Sequence, residues 1–418
     1  MSKIGKIAGL LLLAQCVGMA RVEPAWATPA FARKYETSCE TCHVAFPKLT
    51  AFGEAFRRNG YRFPAGEDED AAVIEDTPLG HPAYRDVFPK AVWPGHTPGA
   101  LLAATLGSTL AYVGEEGLDT SAIGGSAGLV AAGALGGLVS GWVGLEIEAE
   151  QEAGEEHVEL ELERVFLAIS PFEEPRLNVR VGRYELALPG ITPHRLLGPA
   201  SWLNTTPIAD NSFTLEPSQS GIGADGVLGG RLLYQSGVVE GRGNTADGRV
   251  DTYGRIAAKI GRIRANGVGG ATTPQAWRDN HVTIGAFGLS GAAQIGDETA
   301  NQLDHYARYG GDIEAWWWNL QLHAAYMHGT DDQPSLREPG TGVTSDFVFT
   351  QLDWVAYPWL IPSARWEIRR VGEGDEHRLI PAVYTLLRAN VRVNAFAIFT
   401  GDPSPRFDRV GAGVAAAF

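Results

Sequence analysis

The chain is poor in sulfur, with only three cysteines and three methionines among 418 residues. Two of the cysteines, Cys39 and Cys42, lie two residues apart in the hexapeptide SCETCH at residues 38–43. The third, Cys16, falls within the N-terminal segment 1–27, which has the features of a secretory signal. If that segment is removed, the mature chain keeps only Cys39 and Cys42, both in SCETCH. No cysteines then remain for a structural disulfide framework.

The signal assignment follows from three adjoining features. Lys3 and Lys6 precede an apolar run, and the small-residue sequence Ala-Trp-Ala ends at Ala27. A lipid anchor on Cys16 is the weaker alternative, because the bulky Gln15 stands where a small residue is expected. We therefore expect an exported protein.

Long apolar runs are also missing after the signal. No later stretch has the roughly 18 uninterrupted apolar residues of a membrane helix. The chain also has no phosphate-binding loop, zinc signature or nucleophile–base arrangement that would indicate a hydrolase or kinase. Its formal charge of −15 argues against nucleic acid as a partner and is compatible with cations.

What the sequence does contain, from about residue 99, is alternation of apolar and polar residues in segments of about a dozen residues. The segments GWVGLEIEAE, HVELELERV and PRLNVRVGRY show it most clearly. Period two places the two sets on opposite faces of a β-strand. A soluble β-sandwich alternates in the same way, so alternation alone does not identify the fold.

Four further features favour a transmembrane barrel. The segments have the length of tilted membrane-spanning strands. Short connections mix with long ones, and aromatic residues gather near strand ends at 316–318 and 357–359. The final segment stops on Phe418, which resembles the C-terminal signature of bacterial outer-membrane proteins. The predicted partners are therefore outer-membrane lipid and the barrel-assembly machinery, and the alternative is a soluble periplasmic β-domain.

An even strand number lets both ends of a single-chain barrel lie in the periplasm. Sixteen strands are predicted, which makes the fold mainly β, an antiparallel transmembrane barrel. Their predicted bounds are 100–112, 125–135, 138–150, 157–169, 176–186, 219–227, 230–240, 252–263, 278–289, 304–315, 317–328, 345–356, 362–371, 377–388, 391–400 and 408–418.

If the apolar residues face lipid, two neighbouring strands turn acidic columns into the lumen. The residues concerned are Glu146, Glu148, Glu150, Glu159, Glu161 and Glu163. Arg180 and Arg183 follow on the next strand. One interpretation is a ladder of opposite charges in a water-filled interior, and the other is a path for cations.

The motif C-x-x-C-H in SCETCH is the attachment signature of c-type haem. Two thiols on one helical turn add to the porphyrin vinyl groups, and His43 then lies below the iron as proximal ligand. A thioredoxin-like dithiol would need a βαβ context, and structural zinc would need four ligands. A disulfide between Cys39 and Cys42 would leave His43 without a role. We therefore predict one covalent haem c.

The residues after the motif, CHVAFPKLTAFGEAFRRNGY, predict a helix with an aromatic face. Phe46, Leu49, Phe52 and Phe56 recur at three- and four-residue steps. Pro47 suits the first turn and Gly60 suits a C-terminal cap. Four basic residues are candidates for propionate contacts, two of them outside the helix: Arg33, Lys34, Arg57 and Arg58.

The distal ligand of the iron is left open by the sequence. His81 and His96 lie in the connector GHPAYRDVFPKAVWPGH, which could fold over the haem. There are three alternatives: Met327, a histidine from a barrel strand, or an iron with no protein ligand on the distal side. Bis-histidine ligation would favour a lower potential than His/Met ligation.

Residues 27–61, ATPAFARKYETSCETCHVAFPKLTAFGEAFRRNGY, followed by a barrel ending in Phe418, resemble the outer-membrane monohaem cytochrome c–porin fusions. The best-known members of that family are the iron-oxidising cytochrome–porins. The resemblance implies haem attachment at Cys39 and Cys42, iron ligation by His43, and a small haem unit that plugs the barrel.

The domains expected from these features are a signal (1–27), a monohaem cytochrome c domain (28–62), a connector (63–98) and a porin-like barrel (99–418). The expected function is electron transfer between an extracellular donor, such as Fe(II), and a periplasmic c-type cytochrome or similar carrier. At most the protein would be an Fe(II) oxidoreductase. The alternative is a porin for small solutes in which the haem serves as plug, gate or redox sensor.

Overall fold

A computed structural model gives the fold of the chain. The residues that it describes are 31, 35, 39–45, 47–63, 77–78, 96–97, 102–113, 120–135, 138–152, 155–191, 196–215, 218–241, 249–270, 279–296, 301–388, 391–402 and 404–417. The predicted signal, Phe418 and nearly all of the predicted connector lie outside these ranges.

In the described residues before the large sheet, the chain forms two short helices and four short strands. These are α1 (Cys39–Cys42), β1 (His43–Ala45), β2 (Lys48–Leu49), α2 (Ala51–Arg58), β3 (Thr77–Pro78) and β4 (His96–Thr97). We call the described residues between 31 and 63 the N-terminal unit. A further helix, α3 (Trp202–Thr205), lies between two strands of the large sheet. No helix in the described part of the chain has the length and apolar character needed to cross a membrane.

Sixteen strands form one closed antiparallel barrel in chain order, which confirms the predicted barrel and its strand number. They are β5 (Leu102–Val113), β6 (Thr120–Leu135), β7 (Val139–Glu152), β8 (Glu155–Ile169), β9 (Asn178–Tyr184), β10 (Gln219–Leu228), β11 (Leu232–Val239), β12 (Asp251–Gly261), β13 (His281–Gly296), β14 (Asn301–Trp317), β15 (Leu320–Asp331), β16 (Val343–Trp354), β17 (Leu360–Val371), β18 (Gly374–Arg388), β19 (Val391–Gly401) and β20 (Arg406–Ala417). The last strand closes the barrel on the first, with Ala417 opposite Thr105.

The barrel has two ends. We call the end where β5 begins and β20 finishes the inner end, and the opposite one the outer end. Every predicted strand overlaps one observed strand. The main differences are that β6 begins already at Thr120 and β13 continues to Gly296. Both extensions are rich in glycine and alanine, which give no apolar–polar alternation to detect.

The outward face of the barrel is apolar, as a lipid-facing surface must be. Val158 and Leu160 of β8 are 65% and 68% exposed, and outward residues on the other strands are of the same kind. Trp317 and Trp318 at the inner end are also highly exposed, which suits an interfacial girdle. Their neighbour Trp316 differs from the prediction, because it is buried and faces the lumen.

One β-bulge changes the phase of the alternation between β7 and β8. Leu145 pairs with Leu162, whereas Gly144 pairs with Arg164, so Glu163 is the extra residue. A bulge resets which side chains face inward. Beyond it, the outward residues of β8 are odd-numbered, and Leu167 and Ile169 are exposed.

The long connection between β9 and β10 folds into the lumen. Its described apolar residues form a buried cluster with one side of the barrel wall, including Phe287 and Phe349. Asn211 Nδ2 donates to Asp304 Oδ2 over 2.7 Å, and Arg365 Nη2 donates to the Leu197 carbonyl over 2.9 Å. The connection therefore fills part of the lumen from within.

Candidate functional site

The motif C-x-x-C-H lies on a single helical turn followed by a short strand. Cys39 begins α1, Cys42 ends it, and His43 opens β1. Cys42 is partly exposed. His43 Nδ1 lies 3.3 Å from the carbonyl oxygen of Pro47. A histidine held in this way through Nδ1 directs Nε2 away from its own turn.

Helix α2 packs directly against this turn. A Cβ on Gly53 would lie 2.1 Å from the Cys42 carbonyl oxygen, so only glycine permits the approach. Thr50 caps the helix by accepting from Gly53 N over 3.0 Å, and its hydroxyl donates to the Thr41 carbonyl over 2.8 Å. The helix therefore begins at Ala51, later than the predicted start near Pro47.

Because α2 begins only at Ala51, Lys48 lies in β2, from which its side chain reaches the barrel wall. Lys48 is 1% exposed and forms an ion pair with Asp353 of β16. Asp353 also accepts from Ser363 Oγ over 2.6 Å and from Gln351 Nε2 over 2.9 Å. A buried charge pair with this many hydrogen bonds ties the N-terminal unit to the inside of the barrel.

The same network continues into the inward connection. Arg365 Nε donates to Gln351 Oε1 over 2.8 Å, and Arg365 Nη2 donates to the Leu197 carbonyl. Val44 and Ala45 of β1 pack in one apolar cluster with Leu197. The N-terminal unit, the barrel wall and the inward connection thus meet at one place near the inner end.

Arg57 and Arg58, the predicted propionate contacts, have protein partners. Arg57 pairs with Glu54 at 3.4 Å and with Glu185 at 3.3 Å. Burial disfavours its charged form, but the carboxylates of Glu54 and Glu185 outweigh this and hold the pKa of Arg57 above its ordinary value. Arg58 Nη1 donates to the Ala265 carbonyl over 2.8 Å.

Of the face predicted for the helix, Phe52 and Phe56 lie on α2, Leu49 lies in β2, and Phe46 is outside the described residues. The aromatic contacts of α2 extend to the wall. Phe56 packs edge-on against Tyr61 and Tyr35, and the ring of Tyr61 lies 5.5 Å from that of Trp142 on β7. The guanidinium of Arg164 lies over the Trp142 ring, 4.7 Å from its centroid. Burial raises the pKa of the Tyr61 phenol. The cluster seats the unit against β6–β8.

The described residues do not test His81 or His96 as the distal ligand. His81 lies outside those residues, and of His96 only the backbone in β4 is described, where it pairs with Pro78. Met327 belongs to the apolar cluster of the inward connection, which contains no residue of the N-terminal unit.

Two barrel histidines, His281 and His323, line a small cavity beside α2. The helix faces it with Ala51, Glu54 and Arg58. With 3.6 residues per turn, Gly53 is on the opposite side of the helix, towards Cys42. The cavity and the C-x-x-C-H turn therefore lie on different faces of α2. In the described residues, no group of three or more His, Cys, Asp or Glu side chains could hold a metal ion.

Of the predicted acidic columns, Glu146 and Glu148 lie on the face of β7 opposite the exposed Leu145. Their backbone register partners on β8 are Glu161 and Glu159, whose side chains, like that of Glu150, lie outside the description, and Glu163 is the extra residue of the bulge. Glu148 is exposed although it faces the lumen, so no described residue covers this stretch of wall. Arg180 also faces inward and pairs with Asp225 at 3.0 Å.

Two residues that hold the site in place, Lys48 and Asp353, could not be recognised from the sequence. Nothing marked Lys48 as a buried residue, because a lone lysine between apolar positions is usually solvated. Asp353 gave no signal either, because it alternates with Leu352 and Trp354 as any lumen-facing residue would.

Comparisons with known proteins identify the fold but not a family. No protein-family model matches the chain, and no curated protein matches it. Among solved structures, an anion-selective porin from Comamonas acidovorans is similar with 11% identity and a TM-score of 0.50, covering 76% of this chain and 98% of that one. OprB of Pseudomonas putida is similar with 10% identity and a TM-score of 0.50, covering 76% and 94%. The chain therefore has the sixteen-stranded porin-type barrel fold.

Proposed function

We propose that this protein carries electrons across the bacterial outer membrane through one haem c attached at Cys39 and Cys42. The donor is an extracellular one-electron reductant such as Fe(II), and the acceptor is a periplasmic c-type cytochrome or similar carrier. The observation that carries the proposal is the location of the C-x-x-C-H turn inside the barrel, where Lys48 pairs with Asp353.

The residues of the turn fit the group. Both cysteines belong to one helical turn, Cys42 is partly exposed, and His43 is held through Nδ1 by the Pro47 carbonyl. Metal-binding histidines commonly use their second nitrogen in this way, and the hydrogen bond fixes the ring orientation. Bound there, the haem would supply a one-electron redox centre whose potential depends on axial ligation and burial.

A position inside the barrel makes a redox centre accessible from both sides of the membrane. The hydrocarbon core of a membrane is about 30 Å thick, so a redox centre on one side alone is insulated from the other. A centre inside the lumen is approached from both ends. The exposed Glu148 and its neighbours on the open wall attract cations from the outer end, while the packed connection restricts free diffusion.

A His43→Ala variant tests the proposal. We expect a barrel that assembles and shows heat-modifiable migration on a gel, but that is no longer reduced by ferrous iron. His328→Ala is a matched control, because His328 lies on the outward side of β15 and is held by Asp346 at 2.8 Å. Equal reduction of both variants would contradict the role of His43.

A second candidate function is supported by the fold and by the open wall. Porins have the same barrel, and the lumen beside Glu148 is exposed in the described residues. On this hypothesis the protein passes small solutes or ions, and the N-terminal unit is a plug or gate. Steady conductance in planar bilayers that is independent of redox state would favour it.

A further inference from the structure

The exposed charges of the two barrel ends differ. At the outer end the described residues expose charges of both signs, among them Glu240, Asp332, Glu338, Glu373 and Asp402 with Arg249, Arg337, Arg370 and Arg406. At the inner end the described turns expose Arg176, Arg231, Arg262 and Arg264, against Glu173 and Glu174. A basic inner end is unexpected in a chain with a net charge of −15.

Three of these arginines form one patch on two adjacent turns, which we call the arginine rim: Arg231, Arg262 and Arg264. Arg231 Nη1 donates to the Gly261 carbonyl over 2.8 Å, which brings it beside Arg262. A Cβ on Gly230 would lie 3.0 Å from Arg264 Cδ, so the Arg264 side chain crosses the turn that carries Arg231.

Nearby carboxylates do not neutralise the arginine rim. Glu174 pairs with Arg176 at 3.2 Å on the neighbouring turn. Asp279 is buried and engaged by Lys259 at 3.1 Å. Burial alone would raise the pKa of Asp279, but the hydrogen bond from His281 and the charge of Lys259 lower it. Within the described part of the chain, no carboxylate lies within ion-pair distance of the three arginines.

The arginine rim is close to the proposed redox site. Ile263, between two of its arginines, is 0% exposed and packs against Phe52 of α2, which is equally buried. Cys42 packs against the same pair. Arg58 donates to the Ala265 carbonyl, so the turn at 262–270 is held against the N-terminal unit across the barrel mouth. One layer of apolar side chains separates the rim from Cys42.

We propose that the arginine rim is the docking surface for a small acidic electron-carrier protein at the inner end of the barrel. The carrier would accept the single electron that the extracellular donor loses, so this inference depends on the proposed function. Opposite charge would steer the carrier to the rim. The exposed Val268 beside the arginines would supply an apolar contact within a charged border, as in other protein interfaces.

The turn at 262–270 favours a soluble protein over an anionic lipid surface as the partner. Its buried residues pack inward, away from the outward apolar face: Ile263 lies against Phe52 of α2, and Ala265 lies against the buried barrel residues Val227, Leu233 and Ala257. A lipid headgroup would instead meet arginines placed on the outward side, near the exposed Trp317 and Trp318.

The test is a charge reversal of the rim, Arg231→Glu, Arg262→Glu and Arg264→Glu together, in the full chain. The turns should persist, because their backbone bonds, Ala265 N to the Gly230 carbonyl and Arg264 N to the Val268 carbonyl, do not involve these side chains. The matched control reverses Arg249 and Arg337 at the outer end.

Binding of labelled poly-L-glutamate, followed by fluorescence anisotropy in detergent micelles at several salt concentrations, is the first readout. We expect the rim variant to bind at least about 10-fold more weakly than the wild type and to lose most of the salt dependence. The outer-end control should bind as the wild type does. Equal binding by the rim variant and the control would overturn the proposal.

A second readout separates this inference from the proposed function. Oxidation of the dithionite-reduced protein by ferricyanide, an anion, should slow in the rim variant relative to oxidation by the cation hexaamminecobalt(III). His43→Ala should still bind poly-L-glutamate even though it transfers no electrons. If rim reversal instead weakens adsorption to phosphatidylglycerol vesicles and leaves poly-L-glutamate binding unchanged, the rim is a lipid contact and the docking proposal is wrong.

Discussion

Two parts of the lumen wall have the same strand pattern but different interiors. The packed wall, β12–β17 at residues 251–371, buries Phe347 and Phe349 to 1% and 0% exposure beneath the inward connection. The open wall, β5–β7 at residues 102–152, presents glycine, serine and glutamate, and its Glu148 remains exposed. The N-terminal unit lies between the two at the inner end.

The difference shows that alternation alone does not determine whether a barrel interior is filled. Both walls alternate, so both present every second residue to the lumen. On the packed wall those residues include large apolar side chains, such as Phe347 and Phe349, and buried ion pairs, such as Arg308 with Asp331. The described residues of the connection 185–215 cover the apolar ones. Apart from Trp142, which contacts the N-terminal unit, the described lumen-facing residues of the open wall are mostly small or charged.

The largest effect is expected where the N-terminal unit is joined to the packed wall. Lys48→Met leaves Asp353 as an uncompensated buried charge, which should cost about 3–5 kcal/mol and release the unit to proteases. The double variant Lys48→Met, Asp353→Leu should recover most of that loss. Urea unfolding and limited proteolysis measure both, and equal stability of the single and double variants would contradict the proposed junction.

Truncation within the packed wall should weaken it and open the lumen. Phe349→Ala removes a fully buried ring and should lower the free energy of unfolding by about 3–4 kcal/mol. Single-channel conductance should rise because the inward connection loses its support. Val348→Ala, on the outward face of the same strand, is the control and should change conductance little. A rise of the same size in both would mean that the connection does not close the lumen.

A smaller effect is expected at the contact between α1 and α2. Gly53→Ala places a methyl group 2.1 Å from the Cys42 carbonyl oxygen, so the turn must shift, at a cost of about 1–3 kcal/mol. Less haem should then be attached per folded barrel, as measured by haem staining after denaturing electrophoresis. Gly288→Ala, whose nearest atom would be 3.9 Å away, should stain as the wild type does.

The smallest effect is expected on the open wall. Glu146→Gln together with Glu148→Gln removes lumen charge without changing side-chain volume. If ions pass along this wall, the preference for cations over anions should fall by about twofold, since wall charge sets the local ion concentration. Reversal potentials in a salt gradient measure it, with Glu173→Gln at the inner end as control. No change in selectivity would place the ion path elsewhere.

Much of the fold could be predicted from the sequence, because a membrane barrel imposes one rule on every strand. Lipid outside and water or protein inside force a period of two, and the sixteen predicted strands overlap the sixteen observed ones. The inward connection could not be predicted, because the segment DFVFTQLDW of β16 carries apolar residues on both faces. Nothing in it shows that Phe347 and Phe349 are covered by chain rather than by lipid.

Of the candidate site, only the C-x-x-C-H turn could be predicted from the sequence. The spacing of Cys39, Cys42 and His43 places them on one turn and its neighbour, as the structure shows. The supports of that turn, Lys48 on Asp353 and Gly53 on Cys42, join residues that are distant in sequence or that carry no chemical signature. Arg57 and Arg58 have carboxylate and carbonyl partners that only the folded barrel brings near.

The central claim is that the barrel carries a covalent haem that an outside reductant can reach. A visible spectrum of purified outer-membrane fractions, taken before and after addition of ferrous iron, tests it most directly. We predict a c-type α band that sharpens when iron is added and that is missing in a Cys42→Ala variant. A band that only dithionite produces would remove iron as the donor. Folded barrels with no haem at all would contradict the account.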